Sequence, residues 1–228
     1  MGERILKGSD LIDTLRLLRD PVPAEKRSLL RRRWEGLDAR WRVATQGYGQ
    51  QGTGCGATIG VQPRCDFDCS GCYLGAEANR QRPLAVAEVL EQLDRLRAHL
   101  GPKGNVQITD GEVTLLPRSV LVRILRYARG IGLIPMLMTH GDSFRRDPEL
   151  LERLVVDGGL TEVGIHVDTT QRGRLGYRGV RDEAGLMPLR DEFATMIRDV
   201  RRRTGRPLRA AHTLTVTRDN LDGVPAVI

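Results

Sequence analysis

Aromatic side chains are scarce in this sequence, at 4% of its 228 residues. Surfaces that stack nucleic-acid bases interleave aromatic with basic groups, so the composition argues against such a platform. Lysine is rarer still: Lys7, Lys26 and Lys103 are its whole complement, and arginine supplies the other 33 basic residues. No apolar run reaches the length that spans a bilayer, and Met1–Leu6 carries no signal-type apolar stretch. Gly2 is not followed by Ser or Thr at the position an N-myristoylation signal needs. The expectation is a cytoplasmic chain with no membrane insertion. Cysteine is sparse too, with four residues, three of them bunched. That distribution argues against a disulfide framework and suits thiols kept reduced inside a cell. The glycine-rich stretch Tyr48–Gly54 lacks the G-x-x-x-x-G-K-[ST] pattern and is not read as a phosphate loop.

What is present reads as a globular α/β chain. Apolar residues make up 40% and charged residues 29%, and the length suffices for one sizeable domain, or a small domain with an arm. The formal charge of +7 is spread along the whole chain and reads as solvated surface arginine, with nucleic acid a disfavoured partner. Residues 1–50 read as an N-terminal helical arm. Ser9 and Asp10 cap a short helix carrying Leu11, Ile12, Leu15 and Leu18, which stops before Pro21 and Pro23. A second helix, over 24–44, sets Leu29, Leu30, Trp34, Leu37 and Trp41 opposite Arg27, Arg31, Arg32, Arg33 and Arg40, and is expected to pack on its own domain.

Residues 51–228 read as the core, in which short apolar strands alternate with amphipathic helices. Strands are expected at 57–61, 105–109, 134–139, 162–168 and 208–217. Helices are expected at 85–100, 117–129, 148–156 and 189–203, with another opening at Asn220 and Leu221, and an Arg/Gly-rich loop at 169–187. Repeated βα units imply a parallel sheet with right-handed crossovers. Side chains alternate across a strand, so Val106 and Ile108 oppose Asn105, Gln107 and Thr109, while Val163, Ile165 and Val167 oppose Gly164, His166 and Asp168. If the apolar faces meet the helices, Gln107, Thr109, His166, Asp168, Thr213 and Thr215 line the other side. Polar groups in that position require partners or a ligand.

The densest chemistry is Cys65-Asp66-Phe67-Asp68-Cys69-Ser70-Gly71-Cys72, a C-x3-C-x2-C spacing directly after the first strand. Thiolates crowded into one loop are ligands for zinc or an iron–sulfur cluster. A four-iron cluster held by three thiolates leaves one iron open to a small molecule. Cys55, ten residues upstream of Cys65, reads as a buried free cysteine. Asp66 and Asp68 read as solvated, because carboxylates are hard ligands.

This spacing after a first strand resembles the cluster loop of the radical S-adenosylmethionine (radical SAM) enzymes, and four later segments resemble that family in order. Asp110-Gly111-Glu112-Val113-Thr114-Leu115 is similar to its Gly-Gly-Glu-Pro-Thr-Leu, whose backbone holds the amino group of SAM. Thr139-His140-Gly141 is similar to its Thr-Asn-Gly, His166-Val167-Asp168 to its Ser-Leu-Asp, and Thr215 to Asn220 to its Thr-Val-x-x-x-Asn. The resemblance covers about residues 57–228. It implies an α/β fold, a partial (β/α) barrel of the TIM-like radical SAM type, with Cys65, Cys69 and Cys72 holding a 4Fe–4S cluster. It also implies SAM as second cofactor, near Asp110, Gly111, Glu112, Thr139, His140, His166 and Asp168.

Reductive cleavage of SAM and hydrogen abstraction from an unknown small-molecule or peptide substrate would follow. A low-potential ferredoxin or flavodoxin would be the reductant. The family core has six βα units, so a chain ending at Ile228 is expected to leave an edge where a sixth strand would pair. Three residues depart from the family pattern. Gly71 stands where an aromatic residue normally lies beside the adenine, a place Phe67 or Tyr73 could fill. Asp110 replaces the first glycine, and Val113 the proline.

Two rival readings stand beside this one. Zinc could take the three thiolates with a histidine or Cys55 as a closed structural site. Alternatively, the basic helix 24–44 could bring RNA as substrate of the same chemistry. His140 and His166 read as hydrogen-bonding strand-end groups, with general-base or fourth-ligand roles as the sharper alternatives. Arg172, Arg174 and Arg178 read as mobile surface, or as a clamp for an anionic substrate.

Overall fold

A computed structural model describes residues 24–42 and 56–227. The predicted first helix, the glycine-rich connector and Cys55 lie outside these residues. Five parallel strands form one sheet in sequential order: β1 (Ala57–Gly60), β2 (Asn105–Thr109), β3 (Ile134–Thr139), β4 (Glu162–His166) and β5 (Arg209–Thr213). The crossovers carry α2 (Val86–Leu100), α3 (Arg118–Gly130), α4 (Asp142–Arg146) with α5 (Pro148–Val156), and α6 (Met187–Thr204); α1 (Ala24–Glu35) precedes the sheet.

Strand alternation decides what each face meets. Val106, Ile108, Leu137, Val163 and Ile165 are buried in one core with Leu93 of α2, Leu121 and Leu125 of α3, Leu151 and Leu154 of α5, and Phe193 of α6. The opposite, concave face carries Gln107 and Thr109, as the spacing predicts, but its centre is less polar than expected. Met136 and Met138 lie there, in register with Glu162 and Gly164. A Cβ at Gly164 would sit 2.7 Å from Met136 Cε and 2.8 Å from Met138 Cε, so the missing side chain makes room for both thioethers.

Helix α1 docks on this body through Leu30 and Lys26, both buried. Lys26 Nζ donates to Lys103 O at 3.0 Å, and Arg33 donates to Ala98 O at 3.2 Å and to His99 O, the open carbonyls of the last turn of α2. The helix ends at Glu35, well short of the expected residue 44, because Gly36 follows and Asp38 caps a separate 3-10 turn, Ala39–Trp41. Trp41 is 59% exposed and takes no part in docking.

Other boundaries shift for similar local reasons. β5 stops at Thr213, four residues early, where Asn220 Oδ1 accepts from Thr217 N at 2.7 Å and turns the chain. The expected helix after it is a 3-10 segment, Leu221–Ala226, with Pro225 inside. Helix α4 was not expected. It starts from Gly141 in the left-handed region (φ 85°), and Asp147 caps the following α5 by accepting from Glu149 N at 3.1 Å. Among the described residues no strand pairs with the outer edge of β5, which leaves Ala210, Ala211 and His212 exposed.

Candidate metal and cofactor site

The cysteine loop leaves β1 at the C-terminal edge of the sheet, and three other strand ends brace it. Val61 N donates to Thr109 O at 3.0 Å, and Glu112 N to Arg64 O at 2.8 Å. The turn after β2 presses on the loop so closely that a Cβ at Gly111 would lie 2.3 Å from Arg64 O and 2.4 Å from Gln62 O. Only glycine fits there, and its φ of 51° is left-handed as well. At the tip, Ser70 N donates to Thr170 O at 2.9 Å and Asp68 N to Arg172 O at 3.2 Å, so the loop after β4 wraps the cysteines.

Two of the three sulfurs already receive backbone donors. Phe67 N points at Cys65 Sγ at 3.4 Å, and the amide of Arg172 addresses Cys69. Burial pushes the Cys65 thiol up to about 12 and the Cys69 thiol up to about 11, and these amides oppose the shift. Cys72 is exposed. Three thiols on one loop, two of them with N–H donors on the sulfur, form a soft donor set that fits a metal–thiolate group.

Beneath the loop lies a closed hydrogen-bond knot. Glu112 is 1% exposed, and its Oε1 accepts from Thr114 N (3.0 Å), Thr114 Oγ1 (2.5 Å) and Thr139 Oγ1 (2.6 Å), while Oε2 accepts from His140 N at 2.9 Å. His140 Nδ1 accepts from Asp142 N at 3.1 Å, so Nε2 bears the proton it donates to Asp66 Oδ1 at 2.7 Å. Cys65, Asp66 and His140 bring ligand atoms within 4.8 Å of one another. A metal on Nε2 would leave the ring without either proton while Nδ1 still accepts from Asp142, so this geometry opposes His140 as a fourth ligand. Asp66 is not simply solvated, as expected from sequence: the His140 hydrogen bond and Arg146 Nη2 at 2.7 Å hold its carboxyl well below the usual carboxylate range.

A second cluster closes the ends of β4 and β5. Asp168 Oδ2 meets His166 Nε2 at 2.5 Å and Thr215 N at 2.6 Å, and Oδ1 accepts from Thr170 N (2.8 Å) and Thr170 Oγ1 (2.5 Å). Burial works against ionisation of Asp168, but the donors from His166, Thr170 and Thr215 outweigh it and hold the carboxyl at about 2. A Cβ at Gly71 would lie 3.3 Å from Thr215 Cγ2, so the loop tip rests on this cluster. Of the two aromatic residues offered for the place beside Gly71, one is enclosed and one exposed. Phe67 is stacked on His140 (ring centroids 3.7 Å apart), with Arg174 over its ring at 5.1 Å. Tyr73 is 79% exposed and donates to Asp110 Oδ1 at 3.3 Å.

The Arg/Gly-rich loop holds residues that sequence reasoning missed. Glu183 is fully buried and accepts from Thr169 N (2.9 Å), Thr169 Oγ1 (2.8 Å), Asn220 Nδ2 (3.0 Å) and Arg190 Nη2 (2.6 Å). Arg190 also donates to Val167 O at 2.8 Å. Arg174 is neither mobile surface nor free to clamp a substrate: it is buried against the carbonyls of His140 and His166 and against Asp142. Arg172 folds back on Thr169 O at 2.6 Å, and Arg178 is exposed. No local pattern marks these residues, since their carboxylate partners lie up to 32 positions away.

The family described as the Radical SAM superfamily matches residues 59–219. Among solved structures, native anSMEcpe with bound AdoMet and Kp18Cys peptide is similar at 15% identity and a TM-score of 0.47, over 69% of this chain and 43% of that one. Native anSMEcpe with bound AdoMet matches at 15% identity and a TM-score of 0.46, over 68% and 43%. The chain thus spans less than half the length of these structures. No curated protein matches it in sequence.

Proposed function

The chain belongs to the radical SAM superfamily, and on that premise we propose that it is an enzyme initiating hydrogen abstraction from a substrate on the concave face of its sheet. Membership brings two cofactors, a 4Fe–4S cluster and S-adenosylmethionine. Cys65, Cys69 and Cys72 would hold the cluster, which when bound supplies the electron that cleaves SAM to methionine and a 5′-deoxyadenosyl radical. The observation that carries this reading is the cysteine loop: three thiols braced by Gly111 and Thr170, with amides on two sulfurs. Burial keeps Cys65 and Cys69 protonated in the absence of metal, so loading releases protons.

We assign the remaining residues by what their side chains leave free. The backbone at Asp110 and Gly111 lies beside the loop and serves the amino group of SAM. His166, partly exposed, presents the β4 end to its ribose and carboxylate, and Asp168, its carboxylate engaged by His166, Thr170 and Thr215, holds that end in place. Glu112, Thr139 and His140 are engaged with one another, and serve the same site by holding the ends of β2 and β3 in place. The substrate, a small molecule or a peptide, lies over Met136, Met138 and Gly164. A low-potential ferredoxin or flavodoxin is the reductant, and the cytoplasm the compartment; no described helix is long and apolar enough to cross a membrane.

Anaerobic reconstitution with iron and sulfide tests the reading. The expected result is a reduced cubane electron spin resonance signal that changes on adding SAM, with 5′-deoxyadenosine formed, and loss of all three in C69A. A colourless protein that binds zinc and takes up no cluster would overturn it.

A further inference from the structure

Arg174 sits under the cysteine loop in a way that the site so far described does not use. It is 6% exposed. Nη1 donates to His140 O (2.8 Å) and Asp142 Oδ1 (3.2 Å), and Nη2 to His166 O (2.8 Å) and Gln171 Oε1, so one side chain ties the ends of β3 and β4. The remaining donor, Nε–H, is buried without a hydrogen-bond partner among the described residues. An unpaired donor at that depth is costly, and such atoms call for an explanation.

The surroundings point to an anionic acceptor. The guanidinium carbon lies 5.1 Å from the ring of Phe67, which stands between Cys65 and Cys69, and the charge is within electrostatic reach of Cys69. Its carboxylate partner Asp142 is shared with Arg145 at 3.3 Å, and Arg145 has a second carboxylate, Glu192, at 2.9 Å. Three thiolates on a metal group would place negative charge on the cysteine loop, beside Phe67 and Arg174.

We propose that Arg174 is a positioning residue for the metal–thiolate group, a fixed buried cation whose Nε–H is kept for an anionic acceptor of the loaded loop. The inference rests on the cluster-binding reading above. One-electron reduction makes the centre more negative, and a neighbouring cation favours the reduced form. Arg174 therefore raises the midpoint potential.

The test compares R174Q, R174K and Q171E with the wild type, each reconstituted anaerobically with iron and sulfide and titrated spectroelectrochemically. R174Q removes the charge. Q171E leaves Arg174 in place but sets a carboxylate against Nη2, so it remains informative if R174Q does not fold. The expected result is a lower midpoint potential in R174Q and Q171E, with R174K closer to the wild type. A purely structural role would lower thermal stability without ordering the potentials by charge. Folded, loaded Q171E at the wild-type potential overturns the proposal, as does R174K falling as far as R174Q. A wild type that assembles no cluster overturns the functional reading itself, which separates the two failures.

Discussion

At Gly111 the backbone turns with φ 51° directly against the carbonyls of Gln62 and Arg64, and nothing soft can yield to a side chain. G111A is expected to lose at least about 2 kcal/mol in chemical denaturation, from left-handed strain together with steric conflict. Its cysteine loop would also take up less iron. The preceding residue behaves in the opposite way. Asp110 holds φ 83°, where an L-residue is strained, and its side chain bonds the exposed Tyr73. D110G is therefore expected to melt no lower than the wild type when metal-free, and a clear drop in Tm would show that the Asp110 carboxylate contributes more than its backbone costs.

Among the elements, the loop between β4 and α6 packs Leu186 on the core and is also held by a buried ion pair. Arg190 and Glu183 meet at 2.6 Å with both side chains buried. Removing one partner strands a buried charge, at a cost of about 3–5 kcal/mol, whereas replacing both with apolar residues leaves none. R190M and E183L should each be severe alone, and R190M/E183L together should cost clearly less than their sum. Additive losses in a double-mutant cycle would show that the two side chains act independently. Because residues 170 and 172 of this loop bond the cysteine loop, each single variant should also loosen the metal site.

For the whole molecule, two depressed carboxyls predict the acid response. Asp66 and Asp168 both titrate lower in the folded chain than in the unfolded one. Their contribution is present above the ordinary carboxylate range, near pH 4, and is lost as pH falls through the folded values. Asp168, held at about 2, contributes on the order of 2 kcal/mol that disappears between about pH 5 and pH 2. D168N should be less stable at pH 7 and show a flatter decline on acidification than the wild type. Parallel acid limbs in urea denaturation would contradict the assignment.

Periodicity and punctuation alone determined much of this protein. The alternation of Val106 and Ile108 with Gln107 and Thr109 is a local signal, and periodicity of this kind placed strands β2 and β3 and helix α5 at their observed bounds. The three cysteines were legible for the same reason, since their chemistry lies in eight consecutive residues. Only the tertiary structure decided that Asp66 is bonded, that His140 has both ring nitrogens engaged, and that Phe67 is enclosed between His140 and Arg174. It also decided that arginines of an apparently surface-like loop are buried beside Asp142 and Glu183. A charged side chain reads as solvated until its partner is known. Here Arg174 meets Asp142 from 32 positions away, on another strand's exit.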